Sequence, residues 1–323
     1  MSALRSFALA ALLAAAPAYA QEHAAPAGEH DAPAGENVDI ITPHITDGYH
    51  LEIPYWKPPF AIEACIGRHI SEHECAPLWD DVRVGPLTLN FSPTKHVVFL
   101  LLGATLVSLT LILTARAHAR HTHVIGRPQG FAAGIEAMVL YIRNEVIIPN
   151  VGHHGNGYVP FLLTAFFFIL TANLLGLIPY GSTATGNISV TATLALMTFV
   201  VVEIAGMRAL GSHYLSTIFY WNKDLALPIR VLMFIIMSPV ELIGKFTKPF
   251  ALAIRLFANM TAGHIVLLAF ISLIFTFKSI VSGAPFLMAV AISMLELFVA
   301  FLQAFIFTLL SAVFIGQIRE AHH

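Results

Sequence analysis

Hydrophobic positions in this chain gather into long runs separated by short polar breaks. A helix needs roughly 20 apolar residues to cross the hydrocarbon core of a bilayer. Residues 96–114 reach that length, as do 158–178, ending at Pro179, and 188–207. Two further stretches are longer, from Leu227 to Phe277 and from Pro285 to Ile318. As helices they would measure roughly 75 Å and 50 Å, against a core roughly 30 Å thick. They cannot stand upright, so the pattern predicts two long, strongly tilted helices forming a hairpin turned at Phe277–Ala284. The alternative cuts the first stretch at Pro239 or Pro249 into shorter helices. Residues 129–149 are less apolar and carry Glu136, Arg143 and Glu145, as an amphipathic helix on the cytoplasmic surface would. The predicted fold class is all-α: a polytopic membrane protein with about five membrane-embedded helices plus that cytoplasmic amphipathic helix.

Composition agrees. Of 323 residues, 57% are hydrophobic and 11% charged, where a soluble domain carries roughly 25% charged residues. A net charge of -2 points to no nucleic-acid partner. Arg5, the apolar residues 7–16 and Ala18-Tyr19-Ala20 read as a secretory signal peptide over 1–20, the alternative being an uncleaved anchor. Residues 21–92 form an exported segment that begins as a flexible lead-in rich in Ala, Pro, Gly, Glu and His. Residues 93–323 form the membrane domain. Arg116, Arg120 and Arg127 follow the first span, and Arg208, Lys223 and Arg230 follow the third. By the positive-inside rule these loops are cytoplasmic. The expected placement is a bacterial inner membrane, with a periplasmic mature N-terminus and a cytoplasmic C-terminus. Both cysteines, Cys65 and Cys75, fall in the exported segment. An oxidising compartment favours a disulfide between them. His69 and His73 between them would also allow zinc, although the spacing matches no strong zinc pattern.

Polar residues inside the long apolar stretches follow helical spacing. Ser238, Glu241, Lys245, Lys248, Arg255 and Asn259 make one stripe, with Leu252 filling its gap. Ser293, Glu296, Ala300 and Gln303 make a thinner one. A charge within the membrane costs at least roughly 2.5–3.5 kcal/mol. Arg255 cannot lose its proton to escape that cost, so it must meet water, an acid or a polar cavity. Glu296, Glu241 and His264 can titrate. A fixed cation flanked by titratable groups is what a proton path requires. Simpler readings exist beside this one. Glu241, Lys245 and Lys248 would also fit a local salt-bridged patch at the cytoplasmic surface. Asn259 and Gln303 would also serve as interhelical glue.

The run from Pro249 through Arg255-Leu256-Phe257-Ala258-Asn259-Met260 to His264 resembles the signature of the a subunit of F-type ATP synthase. Residues 297–307 and the block Thr171–Pro179 extend the resemblance, which covers roughly residues 80–320. It implies a stator subunit with two offset aqueous half-channels serving a rotating ring of c subunits. The other implied partners are the b subunits of the peripheral stalk, the rest of the F1Fo complex and membrane lipid. The arginine matching Arg255 would separate the half-channels and force a ring carboxylate to deprotonate. Asn259 and Gln303 match polar neighbours of that arginine. His264 and Glu296 match the titratable pair of the outer half-channel, in the order like that of mitochondrial and related bacterial members. Glu241 matches a carboxylate on the cytoplasmic path, and Asn173 a polar residue on a neighbouring span. No cofactor and no metal are implied. The chain shows no P-loop, so ATP chemistry is expected in other subunits. An unrelated transporter would show an internal repeat, and a haem subunit would need facing histidines within spans; the sequence has neither pattern. Proton and sodium are not distinguished by this chain.

Overall fold

The computed structural model describes residues 47–54, 61–71, 74–79, 82–84, 87–89, 92–121, 130–152, 155–178, 181, 183–211, 214, 227–277 and 282–320. The signal-peptide stretch and His73 lie outside them.

The described part of the N-terminal segment is built of short antiparallel pairs: β1 (His50–Pro54) with β2 (Ala61–Cys65), β3 (Arg68–Ser71) with β4 (Glu74–Ala76), and β5 (Val82–Val84) with β6 (Leu87–Leu89). The alternation of Leu51, Ile53, Ile62 and Ala64 with Glu52 and Glu63 is a period-two pattern, which suits paired strands. No strands were expected here. A disulfide joins Cys65 to Cys75 with their Cα atoms 5.9 Å apart, linking the first pair to the second. Asp47 ties the segment to the first membrane helix: its Oδ1 accepts from the His96 backbone N–H at 3.3 Å, and the Lys95 N–H donates to the Gly48 carbonyl at 2.9 Å.

Among the described residues, five helices are long and apolar enough to cross a membrane. They are α1 (Lys95–His121), α4 (Val159–Gly176), α5 (Ile188–Leu210), α6 (Leu227–Phe277) and α7 (Gly283–Glu320). The amphipathic stretch forms α2 (Phe131–Tyr141), a π-helical turn (Ile142–Ile147) and α3 (Ile148–Val151). The wide turn brings Ile142, Val146 and Ile147 inside together, with Phe131 and Tyr141 left exposed.

α6 runs unbroken through Pro239 and Pro249, so its 51 residues form one long helix and are not cut at either proline. Each proline withholds one backbone donor, a loss that membrane helices tolerate where neighbouring groups re-satisfy the backbone. α4 lies at the centre, 67% of its apolar stretch being buried within the chain, against 11% for α6. α7 bridges the two, packing on α4, α5 and α6. Small residues permit this: Ala300, Ala304 and Ala312 are fully buried on α7. At Gly316 the approach is closer still, since a Cβ there would collide with the Asn150 carbonyl. Arg319 then locks the end of α7, its Nη1 donating to the Val151 carbonyl at 2.9 Å.

Candidate functional site

The stripe on α6 divides into three parts. At one end Glu241, Lys245, Lys248 and Leu252 line a cleft of about 260 Å³ between α5, α6 and α7. Ala195, Thr198, Val202 and Glu203 close it from α5, and Phe314, Gln317 and Ile318 from α7. Glu241, Lys248 and Gln317 are exposed at its wide end, while Ala195, Thr198 and Leu252 are buried. The lysines do not make the expected patch along their own helix. Lys245 Nζ lies 3.7 Å from Glu203 Oε2 on α5 and donates to the Tyr214 hydroxyl at 2.8 Å. Lys248 Nζ donates to Gln317 Oε1 on α7 at 3.5 Å. Both side chains reach across to other helices because a polar face inside a bundle finds its partners there.

Arg255 stands one helical turn beyond Leu252, the buried end of the cleft. It is half-buried. Among the described residues it makes no hydrogen bond or ion pair. Around it the surface of α6 is open: Ala251, Ile254, Ala258 and Ala262 are all exposed.

Beyond Arg255 the two stripes meet. Asn259 Nδ2 donates to Gln303 Oε1 at 2.9 Å, and His264 Nδ1 lies 3.9 Å from Glu296 Oε1. The antiparallel register of α6 and α7 carries both contacts, since five residues forward on one helix match seven back on the other. The Glu296 side chain is only 5% exposed, and neither oxygen has a hydrogen-bond partner. Its seat is cut by Gly263: a Cβ there would stand 2.6 Å from Glu296 Oε1 and 2.9 Å from its Cγ. A buried carboxyl without a donor is costly as an anion, so the site suits a group that gains and loses a proton.

Asn173 on α4 is fully buried, accepting from Thr185 Oγ1 at 2.7 Å and donating to the Ala300 carbonyl at 3.4 Å. Ala300 lies between Glu296 and Gln303, so Asn173 fixes α7 at the height of the site. Sequence reasoning did not identify Thr185, Tyr214 or Glu203. Glu203 carried a readable signal, as a lone acid inside an apolar span. Thr185 and Tyr214 carried none, since their partners are distant in the chain.

A polytopic helical membrane subunit, with a lone arginine set between a charged cleft and a buried histidine–carboxyl pair, is the class these features define. The family model described as "ATP synthase A chain" matches residues 97–316, and the chain belongs to that family. It is 46% identical over 241 residues to "ATP synthase subunit a 2" of Chlorobaculum tepidum, covering 72% of this chain and 64% of that one. It is 48% identical over 229 residues to "ATP synthase subunit a" of Chloroherpeton thalassium, covering 71% and 67%. It is 43% identical over 293 residues to "ATP synthase subunit a" of Myxococcus xanthus, covering 88% and 91%.

Proposed function

We propose that this chain is the ion-conducting stator subunit of an F-type ATP synthase, with two half-channels that meet a ring of c subunits at Arg255. The carrying observation is the order along α6: cleft with Glu241, then Arg255 without a partner among the described residues, then the Asn259–Gln303 and His264–Glu296 contacts. From Glu241 to Arg255 the helix rises about 21 Å, and from Arg255 to His264 about 14 Å. The two polar regions thus lie on opposite sides of Arg255 along α6, and each serves one side of the membrane.

A proton enters by the His264–Glu296 pair and passes to a carboxylate on the ring. After the ring has turned, that carboxylate meets Arg255. A neighbouring cation stabilises the ionised carboxylate, so the proton leaves by the cleft past Glu241. Arg255 offers no vacant site for a proton, and this keeps the two regions from joining into one conducting wire. The exposed alanines beside it let a ring helix approach closely. This chain conducts, and the ATP chemistry belongs to other subunits. It sits in the bacterial inner membrane, its cysteine-bearing segment periplasmic and its C-terminus cytoplasmic, held by the b subunits of the peripheral stalk. Asn173 contributes by holding α7 in register.

The test is Arg255→Ala in the whole complex, reconstituted in vesicles. Assembly is expected to persist and ATP-driven proton pumping to disappear. Normal coupled pumping by the assembled variant would overturn the proposal.

A further inference from the structure

The cleft is lined by two carboxylates, and the proposed function uses only Glu241. Glu203 enters the same cleft from α5. Its surroundings are assembled from three parts of the chain. The Lys245 ammonium, on a side chain 10% exposed, lies 3.7 Å from Glu203 Oε2. It donates to the Tyr214 hydroxyl at 2.8 Å and sits 4.3 Å from the centre of that ring. Tyr214 is itself buried, and its ring is seated on Gly206, where a Cβ would stand 2.9 Å from Tyr214 Cε2 and 2.8 Å from Ile318. Gly206 is one helical turn after Glu203. The α5 helix therefore supplies both the carboxylate and the gap that seats the group holding its partner.

A lysine that merely offset α6's insertion cost could reach bulk water by extending its stem. Lys245 instead turns inward and is bound on two sides. The consequence is a carboxylate whose position on the cleft wall is fixed, beside a cleft wide enough for several waters.

We propose that Glu203 is a second proton-relaying carboxylate of the Glu241 cleft, and that Lys245 and Tyr214 are the positioning residues that hold it there. The Glu203 carboxylate accepts the proton arriving from the ring through cleft water and passes it, again through cleft water, to the Glu241 carboxylate at the exposed end. Glu241 then releases the proton to bulk water as hydronium, and both groups end as the carboxylates they began as. Lys245 keeps its proton throughout. The inference rests on the reading that this cleft is one of the two half-channels.

The experiment measures ATP-driven proton pumping by the reconstituted complex, per assembled complex. Glu203→Gln, which keeps the shape, and Lys245→Met are each expected to slow pumping about tenfold. That is below the range of about 10²–10⁴-fold for a fully committed proton-transfer group, because cleft water carries part of the flux. Glu203→Asp and Lys245→Arg are expected to retain most of the rate, a rescue that lost packing alone would not give. The double variant E203Q/K245M removes both charges together, so it assembles even where a lone charge would not, and it too is expected to be slow. Full pumping by E203Q, or by the double variant, would overturn the inference. Glu241→Gln is the reference. If it is slow while E203Q is normal, only the role of Glu203 fails. If both are normal, the cleft is not the path and the underlying reading fails with it.

Discussion

Gly263 gives the sharpest test of the buried pair. Replacing it with alanine adds one methyl group, whose position is fixed by the backbone. That methyl would stand 2.6 Å from Glu296 Oε1 and 2.9 Å from Glu296 Cγ, against an ordinary carbon contact of about 3.5–4.0 Å. The carboxyl end could swing, but Cγ must move as well, so the whole side chain shifts. His264, one residue on, is already 3.9 Å from Glu296 Oε1, and a shift away from Gly263 lengthens that contact. Overpacking of this kind costs about 1–3 kcal/mol. Were all of it expressed in the proton-transfer barrier, the rate would fall about 5- to 150-fold. The assay is proton pumping by the assembled complex in vesicles. Wild-type pumping by G263A would refute the argument that the seat of Glu296 matters.

Two further outcomes follow from the same contacts. Asn173→Ala leaves the buried Thr185 hydroxyl without its 2.7 Å acceptor and removes the tie to Ala300; the expected loss is about 1–3 kcal/mol, read as a lower thermal transition of the purified complex, and an unchanged transition would count against it. Exchanging His264 and Glu296 keeps one imidazole and one carboxyl facing each other, so the double exchange is expected to pump faster than either single replacement. Pumping no better than the weaker single would show that the two groups do not act as a pair.

Much of this arrangement is written locally. The bounds of α6 follow from an apolar run that no soluble helix would carry, and the stripe from Ser238 to Asn259 is visible as spacing alone. Glu296 and Gln303 stand out in the same way on α7. Which residue meets which is not local. Asn259 finds Gln303, and His264 finds Glu296, through the register of an antiparallel hairpin that small residues such as Ala300 and Ala304 allow. Lys245 illustrates the limit. Its spacing from Glu241 fits an intrahelical pair, yet the fold brings Glu203 and Tyr214 to it from elsewhere. The paired strands of the N-terminal segment were illegible for another reason. Strands of three to five residues carry too little pattern to stand out beside long apolar helices.

One helix thus carries two cations treated in opposite ways. Lys245 and Arg255 are ten residues apart on the same polar face. The lysine is enclosed by its own chain, with a carboxylate and a phenol hydroxyl against it. Among the described residues the arginine has no such partner, although it is the charge that cannot be shed. A fold seeking only to neutralise Arg255 had the means to do so, as Lys245 demonstrates. Around Arg255 it instead presents alanines and the exposed side chains of Phe250 and Ile254. Such a surface is apolar enough to sit against another helix and flat enough to let it come close. The cost of roughly 2.5–3.5 kcal/mol for an intramembrane charge is therefore left to be offset from outside the chain. A carboxylate arriving on a neighbouring subunit would offset it, and a moving ring would bring each such carboxylate to Arg255 in turn. On the proposed function, the lack of a partner for Arg255 among the described residues is what leaves it available to that carboxylate.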